Sequence, residues 1–445
     1  MTAPLQDPTA PPRRIPAGTA APVAPPRPPK APLVVGPWRL ANLMRAPHRL
    51  AFLLAMLVLV AASGWWLAVQ VDRATGAVGI VYAVPPSVTH AAAMVLGFMP
   101  LFFAGFLFTA GPNWLRMPHP EARPLLAPLG LQAMGWLLWL AGAHLNRALA
   151  LVGLAAAWLG LTWTVMLFWR LVLGSSVPDR VHAQAVGVGG AVGVLCLAGA
   201  GVALTAGDPA LALVWVRSAL WGFIVVTFVA VAHRMIPFFT SGVLPMIEVW
   251  RPFWVLWLML GIAAFEVLAV WVDWAMPPPR WWTLLVMVVE TAAGAVLIWL
   301  AVVWGLVQSL RIRLLAMLHV GFVWFGIALI YSALSQGLWL ATGQPVLGLG
   351  ALHALSMGFL GSIMVAMVTR VSCGHSGRAL VADDLVWALF WALQGAVLAR
   401  LMAAVQHTPQ WLTTLAAAWW AGAVMAWALR YARWYGKPRI DGKPG

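Results

Sequence analysis

The chain has 445 residues, of which 62% are hydrophobic and only 9% charged. A soluble domain carries about 25% charge, so most of this surface faces something other than water. Lys and Arg outnumber Asp and Glu by 27 to 12, but the basic residues stand between apolar runs, where membrane topology accounts for them and nucleic-acid binding does not. Two cysteines, Cys196 and Cys373, supply no disulfide framework.

Residues 1–37, with the stretches PTAPPRR and VAPPRPPK, are rich in Pro and Ala. Such a segment cannot bury a core, and a disordered tail is expected. It does not read as a cleavable signal peptide, because the first apolar run starts near Leu50 and is long enough to span. A crossing helix needs about 20 apolar residues. Runs of that kind lie near 50–71, 88–110, 124–143, 149–173, 184–205, 211–236, 252–272, 281–305, 314–339, 350–370, 385–405 and 411–432. Prolines punctuate the intervals, among them Pro85-Pro86, Pro178, Pro277 to Pro279 and Pro409. The expected fold is therefore all-α and polytopic. A twelve-helix transmembrane domain would cover 38–436, followed by a basic C-terminal tail over 437–445.

Counting Lys and Arg by side tests the orientation. With the N-terminus inside, only Arg73, Arg147, Arg217, Arg280 and Arg400 fall outside, leaving 22 of the 27 on the inner side. This bias predicts that both termini are cytoplasmic. Many of the 29 Trp flank the runs, including Trp65, Trp66, Trp281, Trp282, Trp419 and Trp420, as interfacial anchors do.

Ionisable residues inside spans are costly and are functional candidates by default. His90 opens the second run and His353 the tenth, both near the outer face. The segments HAAAMVLGF and HALSMGF place Met94 and Met357 four residues after His90 and His353, which on a helix shares a face. Two imidazoles facing each other across a bundle suit a six-coordinate b-type haem. The alternative is two interfacial histidines bonded to neighbouring helices.

At the inner side stand His233, His319 and His375, with Cys373 two residues before His375. Three imidazoles and a thiolate suit copper; solvated histidines are the other reading. Arg370 and Arg378 flank His375, and their guanidinium groups suit haem propionates; equally, Arg370 ends its run as topology requires. Glu266 and Glu290 lie within the seventh and eighth runs. They read either as structural groups bonded to a neighbouring helix or as proton-relay candidates. Gly187, Gly190 and Gly193 in the fifth run read as close helix packing.

Three segments together resemble the NnrS family of bacterial membrane proteins. They are HAAAMVLGFMPLFFAGFLFTAGPNW at 90–114, HRMIPFFT at 233–240 and LHALSMGFLGSIMVAMVTRVSCGHSGRAL at 352–380. The most specific feature is the GHTGR-like turn, here Gly374 to Arg378 with Ser376 for Thr. The resemblance implies a haem- and copper-containing protein of the bacterial inner membrane that acts in nitric oxide metabolism or nitrosative-stress protection. An electron donor would be a further partner. It also points to His90, Asn113, Trp114, Arg234, Pro237, Phe238, Thr240, His319, His353, Arg370, His375, Gly377 and Arg378. Two departures stand out: Ala92 and Ala93 occupy positions where a second His and a Glu are common, and His233-Arg234 stands for Gly-Arg. Whether such a protein is an enzyme stays open at this level. A transporter or carrier for metal, haem or another small solute, and a metal-free membrane scaffold or sensor, are the competing function classes.

Overall fold

A computed structural model describes residues 36–443; most of the expected N-terminal tail lies outside these. Twelve helices are long and apolar enough to cross a bilayer. They are α1 (Pro47–Thr75), α2 (Pro86–Leu115), α3 (Arg123–Leu145), α4 (Arg147–Gly174), α5 (Val181–Ala206), α6 (Pro209–Ser241), α7 (Phe253–Ala275), α8 (Arg280–Val303), α9 (Arg313–Thr342), α10 (Gly350–His375), α11 (Asp384–Met402) and α12 (Gln410–Tyr435). Each coincides with one expected run, its ends shifted by a few residues. Among the described residues there is no strand. The chain is a multi-pass membrane protein whose apolar helices face a lipid bilayer.

Local chemistry sets the ends of the spans. Pro47, Pro86 and Pro209 stand at first helical positions, where the missing N–H removes nothing. Asn146, Asp208 and Asp383 cap α4, α6 and α11 by accepting from Leu149, Leu211 and Val386 N–H groups. Gly76, Gly207 and Gly343 close α1, α5 and α9 with positive φ.

Burial separates an inner set from an outer ring. The most apolar windows of α2, α6, α9 and α10 are 72, 67, 72 and 78% buried, against 39–56% for the other eight. Three inner helices leave the α-helical register. Ala93–Gly97 in α2, Leu220–Val225 in α6 and Ala354–Gly361 in α10 are π-helical. Such segments are rare and are found often at functional sites.

Helices α3 and α4 form the tightest seam. A Cβ on Gly135 would lie 2.5 Å from the Ala157 nitrogen, and one on Gly153 2.6 Å from the Trp139 nitrogen. The expected glycine face of α5 divides: Gly187 and Gly190 accept Trp169 and Val165 of α4, whereas Gly193 accepts Phe223 of α6. Both described chain ends meet on one face, as an even number of crossings requires. Arg39 N–H donates to Gly436 O at 2.7 Å, and the Arg49 guanidinium donates to Tyr435 O and Lys437 O at 3.1 and 2.7 Å. The expected basic tail is partly ordered, with Ile440 N–H bonded to Ser376 O at 3.1 Å.

Replacing Gly153 by Val should cost about 1–3 kcal/mol, the scale of overpacking. A lowered unfolding temperature of the detergent-purified protein, followed by size-exclusion fluorescence, checks this; an unchanged value would refute the seam.

Candidate functional site

The face opposite the chain ends holds a cavity of about 350 Å³, within the range of small-ligand pockets. His90 from α2 and His353 from α10 both line it. So do Met94, Leu220 and Met357, one from each π-helical segment. The changed register of α2, α6 and α10 therefore falls at one place. Met94 and Met357 share the cavity with their histidines, as the four-residue spacing predicts.

The histidines are held differently. His353 Nδ1 lies 2.8 Å from Leu349 O. A carbonyl only accepts, so Nδ1 carries the proton and Nε2 keeps its lone pair, the tautomer a metal ligand needs. His90 stacks on the Trp66 indole, with centroids 3.8 Å apart and planes at 21°. Its Nδ1 is buried and has no hydrogen-bond partner. Neither ring donates to a neighbouring helix, which separates this pair from the plainly structural His144. That ring is bonded through both nitrogens, to Trp65 Nε1 and Val81 O.

Three guanidinium groups, Arg73, Arg217 and Arg400, also line the cavity, and among the described residues no Asp or Glu does. Arg400 Nη1 is buried without a partner. Such a wall suits carboxylates or another anion. These are three of the five basic residues that the charge count set apart, and the sequence reading gave them no role. Their exception to the charge rule was the available signal.

A second chamber of about 220 Å³ adjoins the first, sharing Arg217, Leu220, Leu349 and Leu352 with it. Glu266 of α7 and Glu290 of α8 line this chamber. Glu290 Oε2 accepts from Gln336 Nε2 at 2.9 Å, whereas Glu266 Oε1 is buried and unpartnered.

The residues expected at the inner side are not brought together. Among the described residues, no three His, Cys, Asp or Glu side chains gather as a metal would require. His233 Nε2 donates to Pro252 O at 3.1 Å, so its Nδ1 accepts from His182 Nε2 at 2.9 Å. His319 Nε2 pairs with Thr240 Oγ1 at 3.1 Å. The His375 ring packs against that of His48, with centroids 4.7 Å apart. Cys373 is buried on α10. His233, His319 and His375 each keep a different partner, so the four residues do not gather as a joint copper centre.

Arg370 and Arg378 likewise stand apart from His353. Arg370 follows His353 by about 25 Å along α10 at 1.5 Å per residue, too far to serve one ligand with it. Arg370 Cζ lies 3.9 Å from the centroid of Phe239, and Arg378 Cζ 4.1 Å from that of Trp434. Gly377 has a φ of 77°, and a Cβ there would meet the Asp441 carboxylate at 2.7 Å. The GHSGR turn thus serves to dock the C-terminal segment. Of the remaining family positions, Asn113 Oδ1 pairs with His119 Nε2 at 3.2 Å, and Arg234 lies over Trp114 at 5.2 Å.

The NnrS protein family matches residues 42–439, nearly the whole chain. The chain belongs to the NnrS family. Among curated proteins, none matches it. In this member the GHSGR turn packs against the C-terminal segment, while the cavity lies at the other end of α10.

His182 lies in the first turn of α5 and is 2% exposed. Removing one imidazole of the His182–His233 pair strands the other in a buried place, at about 1–3 kcal/mol. His182→Phe should lower the unfolding temperature of this NnrS protein and leave unchanged any metal that elemental analysis finds in the wild type. Loss of metal in that variant would show that the pair is a ligand set.

Proposed function

We propose that the protein binds b-type haem between His90 and His353 and acts on nitric oxide. What supports this most directly is that both imidazoles line one cavity, with the His353 tautomer set to leave Nε2 free. Haem bound there would supply an iron centre for one-electron chemistry. The protein's own residues do the rest. His90 and His353 would hold the haem iron through their ring nitrogens, and Trp66 holds the His90 ring by stacking. Arg73, Arg217 and Arg400 would take the propionates in place of Arg370 and Arg378. Met94 and Met357, beside the histidines in the same wall, would help to exclude water.

Proton supply falls to the neighbouring chamber. Glu266 and Glu290 stand beside Arg217, which belongs to both chambers. Proton carriers in that position would serve any reaction that consumes protons together with electrons. The 22-to-5 bias of basic residues supports placing the haem end at the outer face of a bacterial cytoplasmic membrane. An external electron donor would then approach from that side. The copper part of the family reading has no gathered donor set among the described residues, and no step is assigned to copper.

An optical spectrum of the purified, haem-supplied protein tests this. A reduced b-type spectrum is expected, converted to a five-coordinate form or lost in His90→Ala and in His353→Ala. Persistence of the wild-type bands in both variants would refute the ligand assignment. Arg400→Leu should weaken haem retention roughly tenfold or more, since a charged hydrogen bond contributes about 1.5–3 kcal/mol. Glu290→Gln should leave the spectrum intact and slow proton-coupled nitric oxide turnover. An unchanged rate across pH would remove the relay role.

A further inference from the structure

Deeper in the bundle, between α1, α2, α6 and α10, lies a separate chamber of about 50 Å³. Room for one water needs about 10–15 Å³ on the same kind of measure, so a molecule larger than water fits. Phe103, Phe228, Val231, Ile363 and Met364 are among the side chains that form its wall. Met99 belongs both to this wall and to that of the histidine cavity. A single flexible thioether side chain thus separates the two spaces.

One polar atom interrupts the apolar lining. Thr227 is 1% exposed, and its hydroxyl is buried with no hydrogen-bond partner. Other helical threonines here return the hydroxyl to the carbonyl four residues back. Thr109, Thr164, Thr205 and Thr240 do so at 2.7–2.9 Å. At Thr227 that carbonyl would be Phe223, inside the π-helical segment Leu220–Val225, where it accepts from Val226 N–H and not from the Thr227 hydroxyl. The change of register therefore leaves a lone donor in an otherwise apolar chamber. A buried water makes about three hydrogen bonds, and this chamber supplies one. Water is a poor occupant.

We propose that this chamber docks a small apolar diatomic gas, with the Thr227 hydroxyl as its one hydrogen-bond donor and Met99 as the passage to the histidine cavity. The identity of the natural occupant as nitric oxide rests on the function proposed above; the existence of the docking chamber does not. Gas dissolves preferentially in apolar surroundings, so the bilayer supplies it and the chamber holds it one side chain from the cavity where the haem would sit.

Xenon, which fills dry apolar cavities, is the probe. Crystals of the full-length protein pressurised with xenon should show a xenon peak flanked by Phe103, Val231 and Ile363. The peak should vanish in Val368→Phe, and in Val231→Met should the larger change prevent folding. It should persist in Thr227→Val, because xenon accepts no hydrogen bond. In the haem-loaded protein, carbon monoxide photolysed at low temperature should give an infrared stretch that shifts in Thr227→Val. No xenon peak in the wild-type chamber, or a peak unaltered by both filling variants, overturns the proposal. Xenon in the chamber without any haem spectrum keeps the gas site and removes the haem reading. A haem spectrum without xenon does the reverse.

Discussion

In hydrocarbon, every backbone N–H and C=O has to find its partner inside the protein, and the rest of this structure follows from how three central helices meet that demand. In α2, α6 and α10 the hydrogen-bond ring widens for one or two turns. Backbone groups stay bonded, but the side chains on either side rotate out of the α-helical sequence of directions. His90, His353 and their methionines thereby reach a common cavity. Thr227 loses the carbonyl that its relatives use. The polar chemistry of the bundle is thus a by-product of backbone register.

Elsewhere buried side chains bond to one another across helices. Gln132 donates to Thr164 at 2.8 Å, and Gln394 links Trp324 to Ser362 at 2.8 Å on each side. Gln394 uses both ends of its amide, whereas the Gln132 Oε1 stays without a partner. The unpartnered atoms at His90 Nδ1, Arg400 Nη1, Glu266 Oε1 and Thr227 Oγ1 instead line cavities. Charge is divided between the two larger chambers: arginines without carboxylates in one, both buried carboxylates in the other, and Arg217 on the partition. Opposite charges kept a partition apart suit a site that binds an anion and moves protons beside it.

The spans were legible because length and hydropathy alone decide them. The His90–His353 pair was legible because helix direction and depth follow from counting spans. Depth is only one coordinate, however. His233, His319 and His375 lie at similar depth, but the side of the bundle each faces depends on packing that no single span encodes. Grouping Arg370 with His353 ignored a separation that the helix rise already gave. The π-helical segments left no mark in composition, since AMVLG and LWGFIV are as apolar as their neighbours. His182 falls just outside the fifth expected run, 184–205, because its helix starts earlier, at Val181.

The first helix finds its principal closing partner in the last. Ser63 accepts from Trp420 at 3.1 Å, and Gln70 meets Gln410 and Thr414 at 2.8 and 3.1 Å. Between 340 and 357 residues of chain separate these partners. During synthesis α1 enters the membrane with those amide and hydroxyl groups unmatched, and ten further helices follow before α12 brings the match. The bundle stays an open arc until α12 is released. The histidine cavity, whose wall includes Thr413, Ala416, Ala417 and Trp420 of that helix, is complete only at that moment. A ligand too bulky for the finished wall would have its way in before the last helix arrives, and would be sealed in by the final step of biosynthesis.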